Sequence, residues 1–562
     1  MDAKNSTFAI RLVPSLTDFA FLMPIVFLFG RMEGMQTLLG DCDTGWHIRT
    51  GQWILANHQV PLHDLFSFSK PGGVWFAWEW LADVLLAAVY GLGGLRAVAL
   101  SAILLLAVTF TLLYWLARRK SNAVFAVLAT MAGAAASSLH WLARPHLFTL
   151  FFLVLFYIAL ERAREGERWV LMLLPPATVL WTNLHGGFFV GIGMAGAYGV
   201  GELLEIAFAS DRTGWQLKSR HAAEYLAISM ACLAASLVNP YTYRLHMHVV
   251  EFLRDPYYAQ HIMEYMSLSF QHPLALFLEA MLLGGALASA WYIRRGRYTE
   301  PLLYLVWAHE ALVASRNIPI CMILTVPMVA EAAMAALESL PQCEVAGWVR
   351  RLAVRLKRVI ADTCETDALP RWHAMSMAGV VALAALLWSP NPPKRFRAEF
   401  DPKSFPAGAI QTLASIPSAR IFTYDQWGDY LIYRLYPSGR VFTDGRCDYY
   451  GTDFEKKVAD VVSVNYGWDK TLAKFGVNTI LMPPSSPLAG ALKESSRWRV
   501  VYDDGVALVF RQQSGGRTVS AAGTNGVAAS PAGAGDSGSG RGREATKTQA
   551  SDETEFAVKP KT

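Results

Sequence analysis

Apolar residues recur along this chain in blocks of roughly 17–25 residues, the length of a bilayer-crossing helix. The blocks fall at 17–38, 95–117, 122–138, 146–163, 168–184, 188–209, 222–238, 272–293, 300–314, 317–338 and 373–390, which predicts about eleven spans. Between the first two lies a long loop, 39–94, that is itself rich in apolar positions. Its segments 44–57 (Trp46, Ile48, Trp53, Ile54, Leu55) and 79–90 have amphipathic helical spacing and predict helices lying at, or half inserted into, the interface. After residue 390 the pattern shortens. Residues 409–416 predict a helix, 420–424 and 441–442 strands, 454–464 an amphipathic helix, and 477–482 and 498–510 further strands. The fold class is therefore a polytopic α-helical membrane protein with a C-terminal extracytoplasmic α/β domain. The bundle takes 1–390, the α/β domain 391–512, and 513–562, nearly free of large apolar residues, predicts a disordered tail.

Composition agrees with residence in a membrane. Of 562 residues, 53% are hydrophobic and 17% charged, where a soluble chain carries about 25%. The net charge of +5 is spread in short clusters between apolar blocks, so no basic stripe for a nucleic acid exists. These clusters are Arg118-Arg119-Lys120, Arg162/Arg164/Arg168, Arg212/Lys218/Arg220, Arg294/Arg295/Arg297 and the loop 350–358. With a cytoplasmic N-terminus all five fall on the cytoplasmic side, as the positive-inside rule requires, and the C-terminal domain lies outside. Lys4 and Arg11 ahead of the first block predict an uncleaved signal anchor. The six cysteines show no metal spacing; Cys42 and Cys447, both outside, could pair or stay free.

On that topology the outer junctions carry mixed polar residues that no topology rule demands. They are Asp41, Asp43, His47, Arg49, Asp64 and Glu79 in the first loop, then Arg144 and His146, Asn183 and His185, Asn239, Glu264 and Arg316. Ionisable groups at the mouth of a helix bundle mark an extracytoplasmic cavity. Asp41 and Asp43 can share a hard divalent cation (Mg²⁺ or Mn²⁺), or one can act as general base; Glu79 and Asp64 are further candidates for the base. Arg316 and Arg144 suit a phosphate, because a guanidinium binds it in parallel hydrogen bonds and stays charged. His47, Arg49, Asp64, His146, Asn183, His185, Asn239 and Glu264 would line the substrate cavity. A carboxylate base, an arginine clamp and apolar walls describe transfer from a lipid-linked phosphosugar.

The string Asp41-Cys-Asp43-Thr-Gly-Trp46-His47, with Gly51, Pro61, Asp64-Leu-Phe-Ser67 and Trp78-Glu79-Trp80, resembles bacterial members of the GT-C superfamily of membrane glycosyltransferases. So do Arg144-Pro145-His146, Asn183-Leu-His185-Gly186-Gly187, Asn239-Pro240-Tyr241, Arg316-Asn317, Trp427-Gly428-Asp429-Tyr430-Leu431 and Asp444-Gly445-Arg446. That superfamily includes the protein O-mannosyltransferases and the oligosaccharyltransferase catalytic subunits. The resemblance covers 15–512. It implies a polyprenyl-phosphate sugar donor, an inverting transfer to a glycan, lipid or protein in the cell envelope, and Asp41 or Asp43 as the catalytic carboxylate. A WWDYG-like string is missing, Tyr424-Asp425-Gln426-Trp427-Gly428 being a faint echo.

Two other readings stand beside this one. A transporter or flippase of lipid-linked saccharide would place ionisable groups near the midplane and show internal repeats. A non-catalytic scaffold would explain the outer domain and leave the acidic loop without a task.

Overall fold

A computed structural model describes residues 11–209, 211 and 213–513. The predicted tail, apart from residue 513, lies outside the described residues.

Each apolar block contains a helix. In chain order these are Leu16–Gly30, the second part of Trp80–Lys120, Ala123–Ser137, His146–Arg164, Leu174–Leu184, Phe188–Ala207, Trp215–Ala235, Ala275–Ile293, Thr299–Val313, Ile318–Ser339 and Ala374–Leu387. Among the described residues six helical stretches are long and apolar enough to cross a membrane: Trp80–Lys120, Ala123–His140, His146–Arg164, Phe188–Ala207, Ala275–Ile293 and Ser315–Gln342. Leu16–Gly30 and Ala374–Leu387 are equally apolar but shorter. The Trp80–Lys120 helix bends at Gly93 and Gly94; Gly94, at φ 63° and ψ −152°, holds a conformation that only glycine adopts without strain. The bend separates the segment predicted over 79–90 from the block that follows it.

Helix ends define two poles. Glu79 and His146 stand at the start of helices that finish at Lys120 and Arg164, and the straight one, His146–Arg164, is about 28 Å long at 1.5 Å per residue. At the far pole a buried network joins six helices. Lys120 Nζ lies 2.5 Å from Glu161, Arg164 2.7 Å from Glu300, and Arg297 3.1 Å from Glu331. Tyr292 Oη donates to Glu331 at 2.6 Å, and Tyr198 donates to Glu161. Three cations balance three carboxylates there.

At the near pole, the first loop and the C-terminal region fold together. The Asp43–Asn57 helix is buried along its first half, including Asp43, Thr44, Trp46, His47 and Ile48. Two glycines make this possible. A Cβ at Gly45 would stand 2.6 Å from Tyr433 Cβ, and one at Gly51 would stand 1.9 Å from the Asp83 carbonyl oxygen. Each glycine costs about 1 kcal/mol of helix propensity against alanine, and close packing on two neighbours offsets it.

The C-terminal sheet runs β1 (Ile421–Phe422), β2 (Thr479–Met482), β4 (Leu508–Gln512), β3 (Trp498–Asp503). β1 is parallel to β2, and β4 is antiparallel to both β2 and β3. The predicted strand 498–510 is thus a hairpin. Phe422, Phe442, Val461, Ile480, Leu508 and Phe510 form its core with the Thr452–Val462 and Pro487–Glu494 helices. Val441 bridges β1 on one side and Ser67 of the first loop on the other. Phe68 N–H donates to the Val441 carbonyl and Val441 N–H to Phe66, each at 3.0 Å. Beneath this junction Arg446 is buried between Asp64 and Asp444, with Nη2 2.7 Å from each and Nε 2.7 Å from Asp444. Its plane lies over Trp75 and Phe66. All six cysteines are free, Cys42 and Cys447 included.

Candidate active site

Four segments bring charge together at the near pole. Asp41 and Asp43 open the Asp43–Asn57 helix, Arg144 precedes the His146–Arg164 helix, Glu264 sits in the turn Met263–Tyr265, and Arg316 in the turn Ser315–Asn317. Arg144 is the hub: Nη1 is 2.6 Å from Asp41, Nη2 2.6 Å from Asp43, and Nη1 3.5 Å from Glu264. Arg316 Nη1 lies 3.1 Å from the other Glu264 oxygen, and its guanidinium lies over the Tyr265 ring. His47, Glu79, His140, Arg144, Pro145, His146, His185, Glu264 and Arg316 line a cavity of about 20 Å³, the room of about one water molecule.

The carboxylates in this cluster are not equivalent. Burial raises the Asp43 carboxyl, Arg144 opposes it, and the Asp41 and Glu264 charges add to the rise; the result is about 7. Burial likewise lifts Glu79 to about 8, against the pull of Arg144. Glu264 goes the other way. Burial would raise it too, but Arg316 and then Arg144 outweigh that and hold it at about 2. At neutral pH Glu264 is therefore ionised beside Arg316, while Asp43 and Glu79 are poised to exchange a proton.

Glu79 sits between two histidines. His47 Nε2 is 3.6 Å from Oε2, and His185 Nε2 is 3.4 Å from Oε1. Gly187 N–H donates to His185 Nδ1 at 3.0 Å, so Nδ1 is an acceptor and the ring proton sits on Nε2, facing Glu79. Burial, then Arg316 and Arg144, lower His185 to about 3, so it stays neutral. His47 Nδ1 bonds Asp83 Oδ1 at 2.6 Å.

Several residues expected in the cavity are committed elsewhere. Arg49 Nε donates to the Tyr433 carbonyl at 2.8 Å, closing the end of the Asp425–Leu435 helix. Asp64 shapes its own turn through Phe66 and Ser67 N–H groups and pairs with Arg446, away from the cavity lining. Asn183 accepts from Trp80 Nε1 at 2.7 Å and donates to the Val179 and Val238 carbonyls. Asn239 likewise serves the turn before Tyr243–Arg254. These four residues lie outside the lining of this cavity, their polar atoms bonded to backbone groups or to side chains away from it. His47, His146 and His185 do line the cavity.

Three residues at the site were not singled out as site residues in the sequence. His140 Nε2 lies 3.8 Å from Glu264. Asp83, one helical turn beyond Glu79, was hidden at the start of a long apolar run. Asp429 comes from the C-terminal helix and sits within hydrogen-bond reach of Asp43, its own carboxyl raised first by burial and then by Asp43. Its Oδ1 accepts Gly445 N–H at 2.9 Å. Gly428 and Gly445 permit the approach: a Cβ on the first would stand 2.0 Å from the Thr443 oxygen, and one on the second 2.6 Å from Asp43 Oδ1. The signal was present in Trp427-Gly428-Asp429 and Asp444-Gly445-Arg446, strings noted for resemblance alone.

Arg144 occupies the space between Asp41 and Asp43 that a shared cation would need. Among the described residues no three His, Cys, Asp or Glu side chains converge as a metal site. The donor set as arranged is an ion-paired one and does not fit the Mg²⁺ or Mn²⁺ expected from the Asp-x-Asp spacing.

No protein-family profile matches the sequence, and no curated protein sequence matches it. The fold has clear neighbours. The oligosaccharyltransferase of Archaeoglobus fulgidus in its apo form aligns with a TM-score of 0.51 at 11% identity, over 85% of this chain and 70% of that one. The same archaeon's AglB, in complex with an inhibitory peptide and a dolichol-phosphate, aligns with a TM-score of 0.51 at 11% identity, over 91% and 74%. ArnT from Cupriavidus metallidurans, bound to undecaprenyl phosphate, aligns at 0.47 and 16% identity over 91% and 99%. The fold of this chain is thus similar to that of the Archaeoglobus fulgidus oligosaccharyltransferase.

Proposed function

We propose that this chain is a glycosyltransferase that moves a sugar from a polyprenyl-phosphate donor to an acceptor at the extracytoplasmic face of a bacterial inner membrane, with its N-terminus cytoplasmic. The observation that carries the reading is the convergence of Asp41, Asp43, Arg144, Glu264 and Arg316 in one polar cluster, at the pole opposite the ion-pair network of Lys120 and Glu161. That pole is where a lipid phosphate and a polar acceptor could meet. The dolichol-phosphate held by an archaeal neighbour of this fold supports the donor class.

In this mechanism Arg316 exchanges Glu264 for a phosphate oxygen of the donor, and Arg144 neutralises the second. Asp43, with its carboxyl near 7, takes the proton of the acceptor nucleophile as that atom attacks the anomeric carbon. The bond from that carbon to the phosphate oxygen breaks, and polyprenyl phosphate leaves with the electron pair. Attack opposite the leaving group inverts the anomeric centre. Glu79 and His185 hold the proton balance beside the base. The first loop and the residue 391–512 domain close the cavity from outside, joined by Arg446.

The test uses the full chain in lipid nanodiscs with radiolabelled polyprenyl-phosphate sugars and an envelope extract as acceptor source. Conversion of donor to polyprenyl phosphate that depends on Asp43 is the expected result. A donor that stays intact with every sugar tried would remove the reading in favour of a scaffold.

A further inference from the structure

The segment linking Ile318–Ser339 to Ala374–Leu387 is not a loose connection but a helix, Gly347–Asp367, about 30 Å long at 1.5 Å per residue. Trp348, Leu352, Leu356 and Val359 recur along it at spacings of three and four, which places them on one side. They are 65, 48, 44 and 61% exposed, and Ala353 is the helix's one buried residue. Arg350 and Lys357 take the opposite side, Arg351 and Arg358 its flank, and Arg355 borders Trp348 at the edge of the apolar side. Among the described residues none of these five pairs with a carboxylate, whereas the basic residues of the neighbouring network do.

Both ends of this helix are fixed at the level where apolar helices begin and end. Its start follows Ile318–Ser339 through the short turn Leu340–Gln342. At its finish, Asp367 accepts the Leu16 N–H at 2.7 Å and lies 3.0 Å from Arg118 Nη1. Leu16 opens one apolar helix and Arg118 stands in the last turn of another. A rod tied at both ends to the rim of the bundle, apolar along one side and basic along the other, has one physical environment that satisfies both sides.

We propose that Gly347–Asp367 lies in the plane of the membrane and binds anionic lipid headgroups, with Trp348, Leu352, Leu356 and Val359 immersed and the five basic residues on lipid phosphates. This interaction surface is independent of the glycosyl-transfer reading and rests only on residence in a membrane. It would anchor the far pole in the leaflet opposite the polar cluster, and make the lipid composition of that leaflet a condition for the bundle's seating.

The experiment places a spin label at one position at a time, by Leu352→Cys, Leu356→Cys or Arg350→Cys, in a full chain whose Cys343 and Cys364 are replaced by serine. Collision with oxygen, which concentrates in lipid, is compared with collision with a water-soluble nickel chelate. In nanodiscs containing anionic lipid, labels at 352 and 356 should favour oxygen at a shallow depth of ~5–10 Å, and the label at 350 the chelate. In purely zwitterionic nanodiscs, or with Arg351, Lys357 and Arg358 changed to glutamine, that contrast should weaken severalfold. Equal chelate access at all three positions would place the helix in water and overturn the proposal. Shielding of 352 and 356 from both reagents would mean that protein covers the face, a second copy of this chain for example, and would overturn it equally. An unchanged contrast without anionic lipid would remove the headgroup assignment.

Discussion

Replacing Asp43 by asparagine keeps the size of the side chain and removes only its ability to ionise. In the native site its carboxyl is set at about 7 by burial, with Arg144 opposing and Asp41 and Glu264 reinforcing. A single group titrating there is about 9% ionised at pH 6 and about 91% at pH 8. If the ionised form is the base, native turnover should rise about tenfold across that interval, and a base contributes ~10²–10⁴ in rate. Asp43→Asn should therefore lose that factor and lose the pH dependence with it. The cluster itself should survive, because Arg144 still has Asp41 at 2.6 Å and Glu264 at 3.5 Å. Donor consumption in nanodiscs at pH 6, 7 and 8 is the measurement, with thermal unfolding of both proteins as the control. A variant that folds, turns over at the native rate and keeps the tenfold slope would refute the assignment. The base would then be sought at Asp41 or Glu79.

Arg316→Lys keeps a cation near Glu264 but loses the planar fork, so the KM for donor should rise roughly tenfold with kcat changed much less; steady-state kinetics separate the two. Arg446→Met strands Asp64 and Asp444 as buried charges and should cost about 3–5 kcal/mol, read as unfolding in denaturant or as protease cleavage within 391–512. Gly51→Ala places a Cβ 1.9 Å from the Asp83 carbonyl oxygen and should destabilise the chain by about 1–3 kcal/mol or more, visible as a lower unfolding temperature. Excess chelator should leave donor consumption unchanged, since Arg144 already fills the space between the two aspartates; a loss restored by Mg²⁺ or Mn²⁺ would show that Arg144 moves aside for a cation.

The order of helices was legible in the sequence because burial in lipid is a local demand: every residue of an apolar block needs the same environment, and about twenty together state it. The same holds for the strands around Ile421, Ile480 and Leu508, whose short apolar runs appear in the sheet. Alternation of helix ends also put Asp41, Asp43, Arg144, Glu264 and Arg316 on one pole without any knowledge of packing. What each polar group does there was decided by tertiary structure. Asp64 meets Arg446 across 382 positions, Arg49 meets Tyr433 across 384, and Asp43 meets Asp429 from the other end of the chain. No local pattern records such pairings. A carboxylate that binds a substrate and one that holds a loop look alike in sequence, and differ only in what the folded chain brings within 3 Å of them.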